Sequence, residues 1–322
     1  MRTRVMMVLL GVALAVAGCG SSSTPPTSVS VAPAPVRPAG AQEIMTEPEA
    51  ADADCGDPEA SLRPGPQPSP GAMSPGSTMA AIEERGRLIV GVDQNTFMFG
   101  FRDPSSVELE GFDIDLAREI ARRIFGDPDS IDLQVVEAGQ RESALQSRQV
   151  DLVVRTFSIT CERKQNIDFS TTYFYANQRI LAAKGSEINS AADLSGKRVC
   201  AVSGTTSLQR LFDLNPRPNL IGVTSWTDCL VMMQQGQIDA ISTDDVVLEG
   251  LARQDSTVEV VGESLGVEPY GVGITKGNDD LVRFVNGALA EIRTDGTWER
   301  LYDTWLRSLG PSPGPPAARY RD

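Results

Sequence analysis

Histidine is absent from the 322 residues, which excludes Ser-His-Asp and Cys-His catalysis, an imidazole metal ligand and a histidine pH switch. Any catalysis would fall to carboxylates, Lys, Tyr or a thiol. Positive charge is also scarce: 29 Lys and Arg stand against 43 Asp and Glu, a net charge of −14. Phosphate binding needs clustered cations, so DNA and RNA are set aside as partners. Proline is nearly missing from the middle of the chain. Of 21 prolines, twelve lie between Gly20 and Ser77 and four between Pro311 and Asp322, leaving five for everything else. That middle stretch is therefore the place for regular structure, and the 41% hydrophobic content suffices for one large or two modest packed domains.

The chain opens with Arg2 and Arg4, then an uncharged apolar run from Val5 to Val16. The run has signal-peptide length and is too short to span a bilayer comfortably. It ends in Val16, Ala17, Gly18 and Cys19, which resembles the bacterial lipobox. On that resemblance residues 1–18 are a lipoprotein signal peptide, and Cys19 carries the acyl chains (palmitate among them) that hold the protein to the membrane. Residues 19–78, rich in Ser, Thr, Pro and Ala, bury too little to offset chain entropy and read as a disordered tether with a reach of about 40 Å. The tail 311–322 reads as loose for the same reason.

Between Met79 and Leu309 strands alternate with helices, the mark of an α/β fold. Residues 87–92 read as a strand. Asp113 reads as the N-cap of a helix burying Phe112, Leu116, Ala117, Ile120, Ala121 and Ile124. A strand at 131–136, a helix at 141–147 and a strand at 150–154 follow. The order recurs as strand 198–202, helix 206–214, strand 220–223, helix 228–235 and strand 238–241. The joint Ala144–Asp151 echoes Met232–Asp239, with Gly236 suited to a left-handed C-cap where the first copy has Arg148. Two lobes of one design are implied. A strand at 270–275 and helices at 280–293 and 297–306 complete the reading.

Several motifs in chain order carry a resemblance: Leu88–Asp93, Gly111–Ala117, Val150–Val153, Ser158–Arg163, Asp168–Ser170, Asp193–Lys197, Val202–Thr206, Ile238–Ala240 and Asp295–Trp298. Together they resemble the extracytoplasmic solute-binding proteins of ABC importers for polar amino acids, over roughly residues 84 to 307. The resemblance implies a two-lobed periplasmic-binding-protein-like fold. Lobe 1 would be 84–184 plus 272–308 and lobe 2 would be 186–270, with two hinge strands and a ligand between the lobes. It also implies a monomeric, lipid-anchored protein outside the cytoplasm that needs no cofactor or metal and hands a free amino acid to a membrane permease.

By the same resemblance Arg163 grips the α-carboxylate, Thr156 and Ser158 supply hydroxyl and backbone groups to it, and Asp244 takes the ammonium. Thr205 and Thr206, at a helix start, face the carboxylate from the other lobe, although capping that helix is compatible with the same placement. Arg179 matches an arginine of acidic-amino-acid binders, and Arg155 replaces a small residue; either could instead neutralise a carboxylate of its lobe. Two extra cations point to aspartate or glutamate as ligand. Asp93, where some relatives place arginine, leaves asparagine and glutamine acceptable. Phe97 and Phe99 either wall the pocket or fill the core.

With Cys19 given to lipid, Cys55, Cys161, Cys200 and Cys229 allow three pairings. Cys200 with Cys229, both in lobe 2 as the resemblance draws it, is the favoured pair and leaves Cys55 with Cys161. The scattered spacing argues against zinc. Two rivals remain: a binding protein that signals to a membrane receptor, and a dehydratase on the same fold, for which no poised acid or base is evident.

Overall fold

A computed structural model describes residues 36–46 and 54–322, so the apolar run and Cys19 lie outside the described residues. Two sheets organise the chain. The first is ordered 131–135, 88–92, 152–153, 273–275, 167–169, with its first three strands parallel and 273–275 antiparallel to both of its neighbours. The second is ordered 42–43, 219–223, 198–202, 240–244, 174–183, 258–270. Helices Phe112–Phe125 and Asp279–Thr294 bury their apolar faces on the first sheet's side, with Leu116, Ile120, Ile124, Leu281, Val285 and Ile292 almost wholly excluded from solvent. Each such side chain contributes roughly 1.5–3 kcal/mol on burial.

Between Leu88 and Thr275 the chain passes between the sheets twice, from Ile167–Phe169 into Phe174–Ala183 and from Val258–Tyr270 into Gly273–Thr275. Both long strands belong to the second sheet. Phe174–Ala183 pairs with Ala240–Asp244 and with Val258–Tyr270, so the first lobe ends near residue 170 rather than 184. The expected echo between the αβ joints is present in detail. Arg148 and Gly236 both adopt left-handed conformations, φ 57° and 66°. Gln149 N–H donates to the Ala144 carbonyl as Gln237 N–H does to Met232. The Asp151 carboxylate accepts from Ile89 N–H, and that of Asp239 from Arg198 N–H, each at 2.8 Å. Arg148 bears a strain of about 1–2 kcal/mol that Gly236 escapes.

Residues 54–78 and 311–322 differ from the loose segments expected of their composition. Ala60, Leu62 and Met73 are buried. Ser61 Oγ donates to the Phe169 carbonyl, and the Asn286 amide donates to Ser61 Oγ and the Leu62 carbonyl. The tail lies beside this segment, with Ser61 N–H on the Arg319 carbonyl and Arg321 N–H on that of Ser61. Proline explains the outcome. A chain already restricted in the unfolded state loses less entropy on docking, so a few buried side chains and a disulfide suffice. Helix Thr78–Arg85, N-capped by Ser77, also begins inside the expected tether. Gln42 and Glu43, upstream, pair with Asn219–Val223 at the edge of the second sheet.

Both favoured cysteine pairings are present. Cys200–Cys229 ties strand 198–202 to helix Trp226–Gln234, and Cys55–Cys161 ties the N-terminal segment to the loop before Arg163. All four thiols are thereby used, which removes the zinc alternative.

Candidate functional site

The lobes meet around an interlobe cavity. Lobe 1 lines it with Ala138, Arg141, Arg155, Thr156 and Ser158, and lobe 2 with Thr205, Thr206, Ser207, Trp226, Thr243, Asp244 and Val247. The close approach uses glycine. Gly204 sits at φ 74°, and a Cβ there would stand 2.7 Å from the Gly139 Cα on the opposite lobe.

Arg141, at the start of helix Arg141–Gln146, was not foreseen. Its side chain is buried and bonded only to backbone carbonyls: Nε donates to Ala138 at 2.8 Å, Nη1 to Arg155 and Thr156 at 3.3 Å each, and Nη2 to Gly204 at 3.2 Å. Among the described residues no carboxylate lies within ion-pair distance of it. Burial first, then the charges of Arg163 and Arg155, holds its pKa well below the ordinary guanidinium value. Its sequence signal was faint: an arginine in the first turn of a short helix looks like a surface residue.

Arg163 is buried as well. Nη1 donates to the Ser158 carbonyl at 2.7 Å and Nη2 to the Gly204 carbonyl at 3.2 Å, and Glu142 lies 3.8 Å from Nε. Its guanidinium and that of Arg141 stand 4.9 and 4.2 Å from the ring centroid of Phe157. Arg163 faces an adjoining groove with Glu142, Thr160, Thr205 and Thr206. The two arginines therefore share one acceptor, the Gly204 carbonyl, which reaches them from the other lobe.

Asp244 ends strand Ala240–Asp244 inside the cavity. Tyr270 donates its hydroxyl to Oδ2, while Oδ1 is buried with no hydrogen-bond partner. Burial, with Glu268 adding to it, pushes its pKa up to about 8. The Thr205 hydroxyl caps helix Thr206–Phe212, accepting from Leu208 N–H and donating to the Val202 carbonyl. That of Thr206 donates to Glu268 at 2.8 Å. Asp245, the neighbour of Asp244, instead accepts from Asn177 and Val246 N–H.

The remaining expectations divide. Arg155 lines the cavity and pairs with buried Asp93 at 3.1 Å, so Asp93 acts as the partner of a cavity arginine and is not among the lining residues. Arg179 is corrected. Gln178 bonds to Ser207 and Ser242, while the Arg179 guanidinium donates to the Gly262 carbonyl on the neighbouring strand and is not among the cavity-lining residues. Of the two places open to Phe99, the core is the one it takes, so it is withdrawn from the pocket wall. It is fully buried in an aromatic cluster with Phe112, Phe174 and Tyr270, and Phe97 packs against Gly250 of the second lobe. Asp113 does not cap its helix. Gly111 occupies that position with no side-chain cap bond, and the Asp113 carboxylate turns inward to Thr156 N–H and the Tyr173 hydroxyl, both at 2.8 Å.

Two α/β lobes, two crossover strands and a polar cavity where the lobes meet define the class of two-lobed ligand-binding proteins. The match to a family model over residues 88–308 goes further: the chain belongs to the bacterial extracellular solute-binding proteins, family 3, whose members are binding proteins rather than enzymes. It is 36% identical over 231 residues to an ABC transporter glutamine-binding protein of Bacillus subtilis, covering 71% of this chain and 85% of that one. A glutamate-binding protein of Corynebacterium glutamicum is 30% identical over 243 residues, with 72% and 82% covered. The crystal structure of a solute receptor for L-cysteine from Neisseria gonorrhoeae aligns with TM-score 0.69 and 28% identity, covering 72% of this chain and 94% of the other.

Proposed function

We propose that the protein captures a free polar amino acid, aspartate or glutamate in preference to asparagine or glutamine, and presents it to an ABC permease. One observation carries the reading: a buried guanidinium, Arg141, with only carbonyl partners lines the same cavity as a buried carboxylate oxygen of Asp244 that has no partner. A zwitterion with an acidic side chain supplies what each lacks, an anion for the arginines and an ammonium for Asp244. A carboxylate adds a full opposite charge and can accept two parallel bonds from a guanidinium, so a ligand carboxylate displaces the Gly204 carbonyl from Arg141 and Arg163. Arg163, with Thr156 and Ser158, takes the α-carboxylate, Arg141, which among the described residues has no carboxylate partner, favours an anionic side chain, and Thr205 and Thr206 close over it from lobe 2. The names of the glutamine- and glutamate-binding relatives support this ligand class.

Calorimetry of the full chain against all twenty amino acids tests the reading. Tightest binding of aspartate and glutamate is expected; tighter binding of any other amino acid overturns the preference, and binding of none of the twenty overturns the reading. Anchorage through Cys19 belongs to the same proposal. Cys19→Ala should move the protein from the membrane fraction to the medium, and unchanged membrane association removes the anchor.

A further inference from the structure

Asp113 is 1% exposed, yet among the described residues no cation is bonded to it. Its two oxygens are spent on Thr156 N–H and the Tyr173 hydroxyl. Thr156 lines the cavity at φ 38°, left-handed backbone that a β-branched residue adopts only when its surroundings impose it. The Thr156 carbonyl in turn accepts from Arg141, Arg155 precedes it, and Ser158 is bridged to Tyr270. One buried carboxylate therefore holds the turn from which lobe 1 presents its ligand-facing groups.

We infer that Asp113 is a positioning residue for ligand binding, acting through the Thr156 backbone rather than by touching the ligand. The inference rests on the amino-acid reading above. What the tie requires is an acceptor at Thr156 N–H, not a negative charge. An asparagine keeps such an acceptor and an alanine does not. A glycine at 156 adopts the left-handed conformation unaided, so it lessens the need for the tie.

The experiment measures L-glutamate affinity by calorimetry on the full chain. Asp113→Ala should weaken binding about tenfold or more, the cost of leaving the Thr156 N–H buried without an acceptor, while Asp113→Asn should stay within about threefold. In a Thr156→Gly background, which loses affinity of its own with the hydroxyl, adding Asp113→Ala should cost less than about twofold, as a double-mutant cycle reads coupling. Equal losses for alanine and asparagine, or the same alanine cost in both backgrounds, overturn the inference. If Asp113→Ala alone fails to fold, the Thr156→Gly double variant should fold, and its failure also overturns it. A wild-type chain that binds no amino acid removes the functional reading and this inference together. A wild type that binds, with variants that do not separate as stated, removes this inference alone.

Discussion

The two lobes close the same joint in the same way and then face the cavity with opposite chemistry. Left-handed residues at Arg148 and Gly236 and carboxylates at Asp151 and Asp239 occupy equivalent places. Yet lobe 1 lines the cavity with Arg141 and Arg155, and lobe 2 with hydroxyls and Asp244. The repeated parts are those that hold strands to helices. The parts that differ lie on the strand-to-helix turns facing the gap, so one scaffold supplies a cationic face and an acidic one to the same cavity. Single substitutions on either side can break or sharpen this contrast.

The largest effect is expected at the pair beneath the cationic face. Arg155→Met leaves Asp93 buried with its Gln94, Asn95 and Thr96 hydrogen bonds but no opposite charge, and should cost about 3 kcal/mol of stability, read by denaturant unfolding; a loss below about 1 kcal/mol would show that the pair is dispensable. Arg163→Ala should weaken every amino acid alike, by more than about a hundredfold, since truncating a buried charge partner costs 2–5 kcal/mol. Discrimination between ligands would instead place Arg163 at the side chain. Arg141→Ala should weaken glutamate about tenfold more than glutamine, whereas Arg179→Ala, whose guanidinium is spent on Gly262, should change neither by more than about twofold.

The acidic face has a pH signature. Asp244 is raised from 3.8 to about 8, so the free folded protein holds a proton there that the unfolded chain has released. Its contribution to stability is full below the unfolded pKa and is lost as pH rises through about 8. An ammonium beside Oδ1 lowers that pKa, so binding should release a proton near pH 7, and affinity should climb by up to about tenfold per pH unit between 6 and 8. Calorimetry in buffers of different ionisation enthalpy reads the proton directly. Proton uptake, or none, would place the ammonium elsewhere.

Much of the fold could be read from spacing. Leu116, Ile120 and Ile124 fall on one helical face, and strand Arg198–Val202 lies where expected. Other parts obeyed competing rules. Val258–Tyr270 runs thirteen residues through Gly262, Gly266 and Pro269, with its register shifted between Val261 and Gly266, so no alternation marks it. Asp113 has the composition of an N-cap, but the cavity turn takes its carboxylate. Arg141 and Arg179 could not be ranked without tertiary structure, because local sequence says nothing about which guanidinium the opposite lobe will cover. Thr156, Ser158, Thr205, Thr206 and Asp244 line the cavity, and Arg163 lies in the groove beside it.

A crystal structure of the full chain with L-glutamate tests the central claim most directly. The α-ammonium should lie within hydrogen-bond distance of Asp244 Oδ1, with the ligand carboxylates on the lobe 1 arginines in place of the Gly204 carbonyl. Glutamate seated outside this cavity, or held with its ammonium toward lobe 1, would contradict the account.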